Sequence, residues 1–212
     1  MQLIKAFVGS SALAVLVAAS PAAADQTHRL VGDFAFSGTA VCVVSSAIIT
    51  PTSYTPPAGF TANLIPIGPS SVLTFSIHGV RTFNGDGTGT VFGRVVSLGN
   101  PGAGSANDLT AQFTYSVAAD RTVLIDQGPT LNTFVAGPRT GQQISVSNVP
   151  TFVGRLSSDG KSLTFGTHDP GVETVTRITP APQLVESLRI CHRARTAILI
   201  SRIPGSHGHG ED

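Results

Sequence analysis

The amino-acid sequence predicts an all-β fold, a single antiparallel β-barrel of about eight to ten strands. The composition favours this class, because glycine, threonine, valine and serine are abundant whereas lysine and glutamate are scarce. Apolar and polar residues alternate with a period of two in several segments, which is typical of half-buried strands. Turn-forming residues separate these segments at short intervals. A β-sandwich is the alternative, because the same pattern of short strands suits both architectures.

Residues 1–24 are predicted to be a secretory signal peptide. Lys5 gives the segment a positive start, and residues 6–19 are almost wholly apolar or small. This run is shorter than the roughly 20 residues that cross a membrane. The small residues at 22–24 match a signal-peptidase site, so cleavage is expected before Asp25. The sequence therefore predicts a secreted or periplasmic protein.

The mature chain is expected to form one domain over residues 25–203, followed by a disordered tail at 204–212. The whole chain carries 13 basic and 12 acidic side chains, and loss of Lys5 with the signal peptide would make the two numbers equal. A neutral surface lacks the basic patch by which proteins bind nucleic acids or anionic lipids. We therefore expect no nucleic-acid partner, and no membrane span after signal cleavage.

The first strand is predicted near residues 34–45, and a long proline-rich loop at 47–71 follows it. This loop holds five prolines, which exclude a central strand because proline cannot donate a backbone hydrogen bond. Long ordered loops are often functional. The apolar residues of this loop predict that it packs on the barrel as a lid or plug.

The next two strands are predicted at 72–83 and 88–98, and between them lies the glycine-rich stretch FNGDGTGTVF. Asn-Gly and Asp-Gly pairs supply the positive φ angles of a tight hairpin turn. A phosphate-binding loop would need a lysine after its last glycine and a helix beyond it, and the sequence indicates neither. The stretch is therefore interpreted as a turn.

The clearest alternation lies at residues 109–119, where one face carries Leu109, Ala111, Phe113, Tyr115 and Val117. A flexible connection at 99–108 is predicted to precede this strand. The remaining predicted elements are a strand at 122–127, hairpin turns at 137–141 and 157–161, and a final strand at about 187–200.

Two cysteines, Cys42 and Cys191, lie near opposite ends of the mature chain. An exported protein folds in an oxidising compartment, so the two are predicted to form a disulfide; two buried free thiols are the alternative. The chain-entropy model assigns the closure of so long a loop roughly 5 kcal/mol of stabilisation. The bond would place the first and last strands side by side and thereby favour a closed barrel.

The sequence holds no strong catalytic or metal-binding motif. There is no G-x-S-x-G nucleophile motif and the histidines lack metal-ligand spacing, so no metal and no cofactor are expected. Two arginines, Arg81 and Arg94, alternate with apolar neighbours and are predicted to face the interior. A buried arginine must be paired or must face a ligand anion. The alternatives are an arginine that reaches solvent at a strand end, or a reversed assignment of the two faces.

Several short stretches are similar to those of calycin-like barrels. Gly32-Asp33-Phe34 stands where lipocalins carry G-x-W near the first strand, and the arginine that they place near the last strand could be Arg189, Arg193 or Arg195. The glycine-rich strand GTGTVFGR is similar to strands of allene oxide cyclase and dirigent barrels. The chain therefore resembles a secreted β-barrel of the lipocalin or allene oxide cyclase/dirigent type. This resemblance implies a closed barrel with a ligand cavity in its lumen.

The leading hypothesis for function is an exported protein that binds a small apolar molecule inside the barrel, beneath the 47–71 loop. The residues expected to line the cavity are Phe75, Phe113 and Tyr115. Either Arg81 or Arg94 is expected to meet a polar group of the ligand.

Two other function classes stay open. A cyclase- or isomerase-type enzyme would need a titratable group in the lumen, and the candidates for it are His78, Asp126 and Glu173. A structural or interaction protein of the cell envelope would need no cavity, but an exposed apolar patch or an exposed edge strand.

Overall fold

The computed structural model describes residues 26–45, 59–98 and 104–203. The predicted signal peptide at 1–24, the tail at 204–212 and the part of the proline-rich loop before Gly59 lie outside these residues. The described chain is mostly strand, with a short 3-10 helix at Thr27–Arg29. The prediction of an all-β fold is confirmed.

Eleven strands are present in the described ranges. They are β1 (Val31–Ser45), β2 (Ser70–Asn84), β3 (Thr88–Leu98), β4 (Gly104–Val117), β5 (Thr122–Gln127), β6 (Thr130–Ala136), β7 (Gln143–Ser147), β8 (Phe152–Leu156), β9 (Ser162–Thr167), β10 (Val172–Thr179) and β11 (Leu184–Ser201).

The strands form one antiparallel sheet that closes on itself, because β1 pairs with both β2 and β11. Three strand pairs lie end to end as divided long strands: β5 with β6, β7 with β8, and β9 with β10. The first part of β4 pairs with β6 and its last part with β5, while β11 pairs in the same way with β10 and β9. The closed ring therefore contains eight strands, within the predicted number, and the total of eleven follows from the divisions.

The divided strands define two halves of the closed sheet. The lower half contains β5, β8 and β9, and the upper half contains β6, β7 and β10; β1 to β4 and β11 contribute to both. Cys42 on β1 lies directly opposite Cys191 on β11, and the two form a buried disulfide across a sequence separation of 149 residues. The predicted disulfide is confirmed, and it joins the two strands that close the ring.

Aromatic side chains fill the lower half of the lumen. Phe83 lies at the centre of this group, with ring centroids 5.0–5.4 Å from those of Phe34, Phe113 and Tyr115. The Tyr115 hydroxyl donates a hydrogen bond of 2.6 Å to the carbonyl of Leu30, in the segment that follows the 3-10 helix. This helix therefore closes the lower end of the sheet, and the buried tyrosine has its polar group satisfied.

The glycine-rich stretch forms the turn between β2 and β3, as predicted. Gly85 and Gly87 have φ angles of 84° and 90°, which L side chains rarely adopt. Gly89, in β3, serves packing instead, because a Cβ atom at this position would lie 2.3 Å from Cζ of Phe113. The repeated glycines thus serve first a turn and then an aromatic core.

Two segments differ from the sequence-based prediction. The predicted flexible connection at 99–108 is too long, because residues 104–108 belong to β4 and pair with β3. The described part of the proline-rich loop does not line the cavity in the lumen. Its Phe60 is buried instead against Leu188 on the outer face of β11, so this part of the loop packs beside the sheet and is not a lid.

Candidate functional site

The upper half of the lumen contains a cavity of about 210 Å³. On β4 the inward positions carry Phe113 and Tyr115 in the lower half but Asn107 in the upper half, where Ser97 of β3 and Asn132 of β6 are also too small to fill the space. Its apolar wall is formed by Phe75, Ile77, Leu109, Phe134, Ile144 and Val146.

The neutral polar side chains of this cavity satisfy one another. Asn107 Nδ2 donates to Asn132 Oδ1 at 2.8 Å, and Asn132 Nδ2 donates to Thr130 Oγ1 at 2.8 Å. The hydroxyl groups of Ser97 and Ser105 lie 2.8 Å apart. Buried polar groups in native proteins are normally paired in this way. The buried polar atoms that lack a hydrogen-bond partner among the described residues lie on other side chains of the lumen.

The last strand supplies a row of arginines to the lumen. Arg189, Arg193 and Arg195 share one face of β11 and line the cavity, because alternate residues of a strand point to the same side. Gly38 on β1 lies opposite Arg195 and makes room for it, since a Cβ atom there would lie 2.6 Å from Arg195 Cγ. Arg81 of β2, which is fully buried, adds a fourth guanidinium below the cavity.

Glu173 on β10 neutralises two of these arginines. Its buried carboxylate lies 2.9 Å from Arg189 Nε and forms a second ion pair with Nη1 of Arg193. Burial by itself raises the pKa of Glu173, but the two guanidinium groups outweigh burial and hold the pKa below its ordinary value. The carboxylate is therefore ionised at neutral pH and serves as a fixed counter-charge.

Arg81 and Arg195 have no carboxylate partner in the part of the chain that the structure describes. Arg81 Nη2 donates to Gln127 Oε1 at 2.6 Å, but Arg81 Nε, Arg81 Nη1 and Arg195 Nε are buried without a hydrogen-bond acceptor among the described residues. Both guanidinium groups lie 4.8–6.0 Å from the ring centroids of the same three residues, Phe36, Phe152 and Phe165. Aromatic faces attract a cation, but they leave its directional hydrogen bonds unmade.

The pKa values of these two arginines reflect this environment. Burial lowers the pKa of Arg81 to about 9. Burial also lowers the pKa of Arg195, and the positive charges of Arg81 and Arg193 add to the effect, while the charge of Glu173 opposes it only in part. Both pKa values are lowered for the same reason, because the lumen destabilises a cation that lacks a counter-ion. An anion beside Arg195 would oppose both causes.

The outer end of the cavity is a rim of paired charges. Arg139 Nη2 donates to Glu186 Oε2 at 2.7 Å, and the Arg139 guanidinium lies 4.6 Å from the ring centroid of Phe134. Arg177 Nε lies 3.9 Å from Glu186 Oε1. The side chains of Arg139 and Glu186 are 33% and 25% exposed, so the cavity meets solvent at this end. Two arginines share one carboxylate at the rim, whereas four guanidinium groups accompany the carboxylate of Glu173 at the inner end, so the excess of positive charge is larger at the inner end.

Four of the predicted site residues face the interior, but only one of them lines the cavity. Phe75 lies in its wall. Arg81 is buried below the cavity and touches it only through Gln127. Phe113 and Tyr115 belong to the aromatic core of the lower half, so the expectation that they line the cavity is corrected: the rings around them already fill that space.

The predicted interior position of Arg94 is wrong. Its side chain is 46% exposed, and its Nε donates to Asp108 Oδ1 at 2.5 Å on the outer surface. The apolar neighbours that indicated an inner face, Phe92 and Val96, are themselves 58% and 45% exposed. The reversed assignment of faces that the sequence left open is therefore the one that the protein adopts on β3.

The strongest cluster of the site was not predicted as a site. Arg193 and Arg195 entered the sequence analysis only through a family resemblance, although arginines at alternate positions of an apolar strand are themselves a signal. Among the titratable candidates for the lumen, Glu173 is buried inside, whereas His78 and Asp126 are exposed on the outer face.

The described residues include no helix long and apolar enough to cross a membrane. They also include no group of three or more histidine, cysteine, aspartate or glutamate side chains placed to hold a metal ion.

The comparisons with known proteins add no identification. No protein-family model, curated protein or solved structure matches the chain, so its resemblance to lipocalin or allene oxide cyclase/dirigent barrels stays a prediction.

Proposed function

We propose that the protein is an exported, calycin-like binding protein that holds a small molecule in the upper half of its lumen. The observation that carries the proposal is the cavity of about 210 Å³, which has an apolar wall and a solvent-exposed rim at Arg139 and Glu186. Concave sites with mostly apolar walls and a few placed polar groups are typical of small-molecule binding.

The cavity volume limits the size of the ligand. A cavity of roughly 150 Å³ accommodates benzene, so by the same scale a volume of about 210 Å³ holds about eight or nine non-hydrogen atoms. A longer molecule would extend past Glu186 at the rim. The ligand that this volume favours is therefore a single ring or a short chain.

Export is supported by the disulfide and by the predicted signal peptide. A buried disulfide between Cys42 and Cys191 is stable in an oxidising compartment such as the periplasm or the cell exterior. The secreted or periplasmic location is therefore part of the same proposal.

Binding is better supported than enzymatic catalysis. The single inward carboxylate of the original candidates, Glu173, is held between Arg189 and Arg193 with a lowered pKa. An ion-paired carboxylate of this kind is a poor proton donor and a weak base at neutral pH. Among the candidates that the sequence offered, Glu173 is therefore suited to holding the arginines rather than to proton transfer.

Native mass spectrometry of the protein purified from its own exported fraction tests the proposal. We expect an additional mass in the native spectrum that disappears on denaturation. Ser97→Phe places a ring in the cavity and should abolish the additional mass, whereas the control Ser76→Phe, on the exposed face of β2, should retain it. A bare native mass, together with no binding of benzoate or benzamide, would contradict the proposal.

A further inference from the structure

We propose that the ligand is a small carboxylic acid whose carboxylate binds Arg195 at the inner end of the cavity. This inference rests on the proposed function and names the chemical class of the ligand. It is carried by an imbalance of charge that the protein does not resolve with its own described residues.

The imbalance lies at the inner end of the lumen. Four guanidinium groups, those of Arg81, Arg189, Arg193 and Arg195, surround one buried carboxylate, that of Glu173. Glu173 is committed to Arg189 and Arg193, and the more distant Glu186 is committed to the rim arginines. An uncompensated buried charge is expensive, so the lumen is electrostatically incomplete without an anion.

Arg195 is the group that an anion in the cavity would reach. Its side chain is only 6% exposed, it lines the cavity, and its Nε has no acceptor among the described residues. Arg81 carries the same deficit but lies deeper and does not line the cavity. A planar carboxylate fits the fork of a guanidinium group with two parallel hydrogen bonds.

Gln127 supplies a second donor in the cavity that Arg195 lines. A guanidinium group can only donate, so the oxygen of the Gln127 side chain must face Arg81, as the 2.6 Å contact from Arg81 Nη2 has it. The amide nitrogen of Gln127, which also lines the cavity, is then free of that contact and can donate to an anion. Arg81 thus orients Gln127 as a positioning residue.

The rest of the cavity selects the body of the acid. Phe75, Ile77 and Phe134 form part of the apolar wall of the same cavity and favour an apolar group. The neutral ladder through Asn107 and Asn132 is already satisfied and offers no further cation. Benzoate and hexanoate, which match the volume of the cavity, are therefore suitable probes.

The test compares each acid with its uncharged amide on the full mature protein. Binding of benzoate against benzamide, and of hexanoate against hexanamide, is measured by calorimetric titration at neutral pH. We expect each acid to bind at least tenfold more tightly than its amide. Equal affinities of acid and amide would overturn this inference while leaving the proposed function intact. No binding of any probe would also overturn this inference, and together with a bare native mass it would overturn the proposed function as well.

Variants locate the preference within the lumen. Arg195→Gln should abolish the preference for acids, whereas Arg94→Gln, which removes an arginine from the outer surface, should preserve it. A preference that survives Arg195→Gln would place the anion elsewhere and overturn the assignment. The circular dichroism spectrum and unfolding midpoint of each variant show whether it is folded.

A measurement on the unsubstituted protein covers the case of a variant that does not fold. With ¹⁵N-labelled arginine, the Nε–H resonance of Arg195 should shift on addition of benzoate but not of benzamide. The resonance is assigned by its disappearance in Arg195→Lys, which keeps the positive charge. If all arginine resonances stay unmoved at saturating benzoate, the inference is wrong.

Discussion

The two halves of the lumen share one closed sheet but contain opposite kinds of interior. Below, Phe34, Phe83 and Phe113 pack edge to face in an aromatic core. Above, arginines, asparagines and serines surround a cavity of about 210 Å³. Since strands β1 to β4 and β11 run through both halves, the backbone cannot account for the difference. The inward side chains divide the molecule into a part with a packed aromatic core and a part that encloses a cavity.

The largest expected effect tests the role of the lower half. Phe83→Ala removes the ring at the centre of the aromatic core and should lower the free energy of unfolding by about 4 kcal/mol, because it leaves a cavity that the neighbours cannot fill. Urea unfolding followed by circular dichroism measures the loss. The matched control is Phe92→Ala, whose ring is 58% exposed and should change stability by less than about 1 kcal/mol. Similar losses in the two variants would contradict the division.

A smaller effect is expected from the one charge of the upper half that the fold depends on. Glu173→Gln leaves Arg189 and Arg193 without their counter-charge and should lower the free energy of unfolding by about 3 kcal/mol. Urea unfolding at neutral pH measures the loss. An unchanged unfolding midpoint would show that the ion pairs contribute nothing net.

The same carboxylate makes stability depend on acid. The pKa of Glu173 is lower in the folded protein than its ordinary value of 4.5, so its contribution is fully present above that value and is lost as the pH falls through the folded pKa. Between about pH 5 and about pH 3 the unsubstituted protein should lose more stability than Glu173→Gln. Parallel pH profiles for the two proteins would rule out this linkage.

The smallest effect has the opposite sign and tests the upper half as a binding site. Arg195→Met replaces a buried cation that lacks a carboxylate partner among the described residues and should raise the free energy of unfolding by about 1 kcal/mol. The control is Arg94→Met on the outer surface, which should leave the midpoint near that of the unsubstituted protein. Destabilisation by Arg195→Met would mean that the arginine serves the fold.

Local signals explain why much of the fold could be predicted. Period-two alternation marks the strand at 109–119, and the Asn-Gly and Asp-Gly pairs mark the turn before β3. The disulfide between Cys42 and Cys191 was the one long-range contact that could be predicted from the sequence. The division of three long strands was not foreseen, because nothing in a local pattern tells a break within a strand from a turn between two strands.

The candidate site was harder to predict, because alternation gives two faces without saying which is inner. On β3 the outer face carries Phe92 and Val96, while the inner face carries Val91, Val95 and glycines. Arg94 was therefore assigned to the wrong side. The inner face of β3 carries Gly89 because the ring of Phe113, its partner on β4, lies over it, and this depends on a pairing that a single strand does not reveal.

At the break between β5 and β6, the alternation of inward and outward side chains shifts by one residue. Before the break the odd-numbered residues Val123 and Ile125 face inward, and after it the even-numbered residues Asn132 and Phe134 do. Gln127 and Thr130 can therefore both face the lumen, although an uninterrupted strand would point them to opposite sides. One insertion or deletion at Gly128-Pro129 would present a different set of side chains to the cavity, while the same residues of the aromatic core would still face inward. The chemistry of the pocket is thereby uncoupled from the packing that keeps the protein folded.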